Sequence, residues 1–179
     1  MQKRSHALLA SALLRCEDGF PARRYELAFL FGSIQPDCNP LSYLKGSLRG
    51  KKFGGHTYGN SRRYIDRHIR RFRARPCRNL WDYYTLGKLT HYVADAFTYP
   101  HNPTFPERGW AHHRYEKALR LALQDYLTAN APRRRECRGN LPQTLADLHE
   151  QYLSGESGVE RDIRYILNAT ELLMAGCVS

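Results

Sequence analysis

The strongest constraint on this chain is a helix whose own sequence makes it both apolar and charged. From about Asn79 to Tyr99, the residues Leu80, Tyr84, Leu86, Leu89 and Val93 spread an apolar surface around a helix, and His91 and Asp95 interrupt it. Residues four apart lie on one face of an α-helix, one turn of ~5.4 Å from each other. A histidine and a carboxylate placed there are costly to bury unless they pair or coordinate something. The pattern then repeats. His112 and Glu116 are also four apart, on a helix from about Trp110 to Thr128 whose core face is Leu119, Leu123 and Leu127. Between the two pairs, His101 sits in "PHNPTFPERG", a loop stiffened by its prolines. One His–Asp pair reads equally well as a mutual hydrogen bond. Two pairs with a loop imidazole between them read as a metal box, because imidazole nitrogen and carboxylate oxygen are what borderline-soft Zn²⁺ takes where no thiolate is offered. His113, three before Glu116, also reaches it on a helix; the four-residue spacing favours His112.

The stretch "GKLTHYVADAFTYPHNPTF", followed by "HHRYE", resembles the ligand core of the zinc-dependent phospholipase C family, whose distant relatives are the fungal nucleases of single strands. His91, Asp95, His101, His112 and Glu116 match that core one by one. By the same resemblance, an early helix histidine corresponds to His6 in "RSHALLASALL", a turn aspartate to Asp37 in "FGSIQPD", and an intervening histidine to His56 in "FGGHTYG". The resemblance covers roughly residues 4 to 120. It implies an all-α fold and hydrolysis of phosphoric esters at a cluster of two zinc ions or three. Asp37, His56, His91 and Asp95 would hold the first, His101, His112 and Glu116 the second, and His6 with a bridging Asp95 the third. Asp37 would also orient or deprotonate the attacking water. In secreted family members the amino group and carbonyl of an N-terminal Trp complete the third site, and this chain begins Met1-Gln2 with no matching Trp.

The charge agrees with an anionic substrate. There are 28 Lys and Arg against 17 Asp and Glu, a formal net charge of +11, which favours phosphate esters, nucleic acid or acidic lipid surfaces. Much of it lies in "RRYIDRHIRRFRARPCR" and "PRRREC". Phospholipid is accordingly one expected substrate. Nucleic acid is the weaker partner, since the basic helix lacks the regular aromatic platform of a single-strand binder. Two alternatives remain: a nuclease or nucleotidase of the same fold, and a metal-binding protein without activity. His68, in the Arg-rich face, and His149, in a polar C-terminal helix, read as solvated.

The rest of the pattern is helical, with no alternating strand signal, and predicts a single-domain multi-helix bundle over residues 1–179. A second helix, "ARRYELAFLFGSI", should stop before Pro36, because a residue preceding proline disfavours the α region. "PLSYLKGSL" reads as a short helix and "RGKKFGGHTYGN" as a glycine-rich loop. Asn60 or Ser61 would cap the basic helix, Pro76 would end it, and two more helices are expected near 142–154 and 158–175. Five scattered cysteines without a Cys-x-x-Cys predict reduced thiols and no thiolate site. No apolar run approaches the ~20 residues of a membrane span. The start of the chain imitates a signal peptide, but His6 interrupts it, its apolar run is only eight residues, and Arg15, Cys16 and Glu17 follow at once; the reading is a first helix in a cytoplasmic protein. Oligomeric state leaves no signature in the sequence.

Overall fold

The computed structural model describes residues 1–17, 19–38, 58–102, 105 and 109–178. His56 lies outside the described residues, as do the helix expected in "PLSYLKGSL" and most of the glycine-rich loop. Seven α-helices and no strand occur among the described residues: α1 Lys3–Cys16, α2 Arg23–Cys38, α3 Tyr58–Ala74, α4 Leu80–Ala96, α5 Trp110–Ala129, α6 Leu141–Leu153 and α7 Val159–Val178, with a 3₁₀ turn at Tyr99–His101. The all-α reading therefore holds. No helix among the described residues is long and apolar enough to cross a membrane.

Helix α4 is the axis of the bundle. Asn79 caps it, its side chain accepting the Asp82 N–H at 3.0 Å, while the Asp82 carboxylate accepts the Arg78 N–H at 3.1 Å. Leu86, Leu89, Val93 and Ala94 are buried on different sides of it, against α2, α3, α7 and α1. Leu9, Phe29, Ile65, Ile69, Leu119, Leu123 and Ile166 bring the apolar stripes of the surrounding helices into one core.

The closest pairing is α2 against α4, two helices running side by side in the same direction. Tyr25 stacks on Tyr83 with ring centroids 4.7 Å apart, and further along His91 Nδ1 meets the Ser33 carbonyl at 2.9 Å. Between these contacts the backbones touch. A Cβ on Gly32 would lie 2.1 Å from the Tyr84 carbonyl oxygen, and one on Gly87 would lie 2.1 Å from that of Phe29. The two glycines thus let α2 approach α4 closely enough for Asp37 to arrive beside His91 and Asp95.

Helix α2 corrects the sequence reading, since it continues through Pro36 instead of stopping before it. Proline in the last described turn forfeits one intrahelical hydrogen bond. Pro36 is itself buried in the bundle. Asp37 consequently stands in the last turn of a helix and not in a loop. Helix α3 begins at Tyr58, slightly before the expected caps.

Gly32→Ala and Gly87→Ala should each cost about 1–3 kcal/mol, the usual range for forcing atoms into a packed contact. Gly59→Ala, whose Cβ would meet nothing within 4 Å, should be neutral or stabilising by roughly 0.5–1 kcal/mol, as for any open helical glycine. Thermal melts of the three variants check this. Equal, negligible effects would remove the close approach as a determinant of the fold.

Candidate metal centre

Three helices deliver the polar side chains of a first group to one end of α4. His6 comes from α1, Asp37 from α2, His91 and Asp95 from α4 itself, and their burial is nearly complete except at Asp37, whose side chain is 17% exposed. The rings of His6 and His91 stack, with centroids 3.7 Å apart. Asp95 Oδ1 lies 3.1 Å from His6 Nε2, and Asp95 Oδ2 lies 3.2 Å from His91 Nε2. Asp37 Oδ1 stands 3.6 Å from His91 Nε2. His91 Nδ1 donates to the Ser33 carbonyl, which fixes the tautomer and leaves the Nε2 lone pair facing the carboxylates.

A second group forms where the 3₁₀ turn meets α5. Glu116 Oε1 is 3.3 Å from both His101 Nε2 and His112 Nε2. His113 is exposed, so the ring that faces Glu116 is the one four residues before it. Ligand atoms lie within 4.8 Å of one another inside each of two sets: His6, His91 and Asp95, and His101, His112 and Glu116. Asp95 also touches the second set, its Oδ2 being 3.7 Å from His101 Nδ1.

One participant is not readable from residue type at all. The amino group of Met1 lies between the two groups, 2.6 Å from Asp95 Oδ1, 2.9 Å from His101 Nε2 and 3.3 Å from Glu116 Oε1. The buried atoms His6 Nε2, Asp37 Oδ2 and Asp95 Oδ2 make no hydrogen bond among the described residues. Buried polar atoms without hydrogen-bond partners are rare in native structures, and convergent nitrogen and carboxylate donors are what a zinc ion requires. The residues present fit the metal.

The protonation states also suit ligation, which needs neutral imidazole and ionised carboxylate. Burial, reinforced by the His91 ring, lowers His6 to about 3. Burial alone would raise Glu116, but its hydrogen bond to His101 and the charges of the Met1 amine, His101 and His112 hold it at about 2. Asp95 is also held well below the ordinary carboxylate range despite burial, by His101, the Met1 amine, His91 and His6. Asp37 goes the other way, raised by burial against the opposing pull of His91.

Two expectations about bystander histidines are corrected. His149 is buried, its Nε2 meeting Asn102 Oδ1 at 3.1 Å, and burial lowers it to about 4. Asn102 in turn donates to the carbonyls of Ala96 and Thr98, so His149 helps hold the turn that carries His101. His68 is half-buried against Tyr64, with centroids 4.3 Å apart, and burial followed by Arg71 and Arg67 lowers its pKa.

An all-α bundle with two histidine–carboxylate groups at one end of its central helix defines a class of metallohydrolases. The chain belongs to one such family: the model of the zinc-dependent phospholipase C family matches residues 5–163 of its 179 residues. No curated protein and no solved structure matches it.

The metal-free protein should lose stability on acidification. His6 has a pKa near 6.5 when unfolded and about 3 when folded, and Glu116 drops from 4.5 to about 2, so below pH ~6.5 the unfolded chain takes up protons that the folded one refuses. The stability is fully present above that pH and drains away as pH falls toward 3. Asp162, which burial raises to about 6, offsets part of the loss. Melts of chelator-treated protein between pH 7 and 4 should show a falling midpoint, with a shallower slope in His6→Gln. A midpoint that is flat in the parent would contradict the assignment of buried neutral imidazoles.

Proposed function

We propose that this chain hydrolyses phosphoric esters of the phospholipase C type with two zinc ions or three. The observation that carries the reading is Asp95, a carboxylate with 1% exposure that lies within 4 Å of the Met1 amine, His6, His91 and His101 at once. Such a residue belongs between metals. Asp37, His91 and Asp95, with His56 from outside the described residues, would hold the first zinc. His101, His112 and Glu116 would hold the second, and His6 with Asp95 the third.

When bound, zinc supplies Lewis acidity toward phosphoryl oxygens and lowers the pKa of water to ~7 in favourable sites. The chain's own residues supply the rest. Asp37 is the most solvent-accessible carboxylate of the cluster, at 17% against 12% for Glu116 and 1% for Asp95. Asp37 is therefore the proposed group that orients the attacking water or takes its proton. His112, 35% exposed, marks the side from which a phosphate ester reaches the second group.

The nuclease reading would use the outer face of α3, where Arg63, Arg67 and Arg70 are exposed. Arg71 is already committed, together with Arg75, to the buried carboxylate of Asp82. Three exposed guanidinium groups on one helix are a solvated face more readily than a groove for a strand.

Elemental analysis of protein made with zinc should give at least two equivalents per chain. Asp95→Asn should lose more zinc than His6→Ala or Asp37→Asn, and Asp37→Asn should lose turnover while keeping most of its metal. Assays on nitrophenyl phosphate esters, phosphatidylcholine and single-stranded DNA rank the substrates, with the ester and the phospholipid expected to lead. Less than one equivalent of zinc, with helicity kept after chelation, would end the metallohydrolase reading. DNA binding that falls steeply with salt, by a slope of ~0.7 per phosphate contact, and is lost in Arg63→Gln/Arg67→Gln/Arg70→Gln would replace it with the nuclease.

A further inference from the structure

Asp162 is fully buried in the first turn of α7 and contributes nothing to either ligand group directly. A carboxylate so placed is costly unless donors surround it. It has three. Its Oδ2 accepts the Tyr99 N–H at 2.9 Å and the Tyr115 hydroxyl at 3.0 Å, and its Oδ1 accepts the Tyr152 hydroxyl at 2.7 Å. Tyr99 opens the 3₁₀ turn that ends in His101, and Tyr115 stands on α5 next to Glu116 and three residues after His112. One oxygen atom thus ties the turn that carries His101 to the helix that carries the other two members of its group. The tyrosine rings add to the joint, with centroids 5.7 Å apart.

We propose that Asp162 is the positioning residue of the His101, His112 and Glu116 group, acting through Tyr99 and Tyr115. The inference rests on the zinc reading above and goes beyond it, assigning a task to a helix that holds no ligand. An acidic residue in a first turn also favours the helix dipole. That role would need neither Tyr99 nor Tyr115. The His6, His91 and Asp95 group has a separate support, the Ser33 carbonyl, so the two groups should respond differently when Asp162 changes.

Zinc titration of metal-free protein, by calorimetry with a competing chelator, tests this. The set is the parent, Asp162→Asn, Tyr115→Phe, their combination, and Asp82→Asn as a control that removes a buried carboxylate remote from both groups. One equivalent should lose affinity about 10-fold or more in Asp162→Asn, the range found for groups that orient metal ligands. Tyr115→Phe should lose several-fold, and the combination no more than Asp162→Asn alone. The other equivalent should stay within about twofold, and Asp82→Asn should lower the melting point without separating the two equivalents. Without metal, hydrogen exchange at the Tyr99 amide should accelerate in Asp162→Asn. Should that variant not fold, Tyr115→Phe decides by the same criterion. Two equivalents that weaken together in step with the melting point, or that do not weaken at all, overturn the proposal. A parent that binds fewer than two equivalents overturns the zinc reading itself, and the proposal with it.

Discussion

A carboxylate in the middle of a helix bundle can remain ionised only if the fold is arranged around it, and Asp95 sets that requirement here. Its neighbours come from the chain start, from α1, from its own helix and from the 3₁₀ turn. None of these contacts would survive a shift of one helical turn in any of those elements. The glycine contact between α2 and α4 then adds Asp37 to the same end. The site is therefore not grafted onto a finished core. It is the part of the core where charge has replaced hydrocarbon, and the apolar packing of Leu86, Leu89 and Val93 on the same helix provides the stability that the charge cluster costs.

What the sequence disclosed follows from how far apart the partners lie along the chain. The pairs His91–Asp95 and His112–Glu116 are legible because a helix brings residues four apart together with no help from the fold. His101 was legible through its place between them. Asp37 was located by resemblance, but its setting was not, because the local rule that proline ends helices loses to the burial of Pro36 in the last turn of α2. His149 and Asp162 were not legible. Each sits in a helix whose sequence looks amphipathic, and their partners Asn102, Tyr99 and Tyr115 lie 47 to 63 residues away in sequence. The Met1 amine gave no signal of residue type, although His6, in the first turn of α1, already placed the chain start close by.

The two ligand groups are supported in different ways, and this organises the C-terminal half. The first group is braced by the backbone of α2 through Ser33. The second rides on a turn and a helix end, and buried side chains from α6 and α7 brace it: His149 through Asn102, and Asp162 through two tyrosines. Those helices bear no ligand and would look dispensable in a reading confined to the metal-box residues.

Anomalous scattering from crystals of the zinc-loaded protein, measured on both sides of the zinc edge, addresses the central claim most directly. The account predicts separate peaks among His6, Asp37, His91 and Asp95 and among His101, His112 and Glu116, with Asp95 reaching both. Peaks elsewhere on the molecule, or none within the two groups, would contradict it.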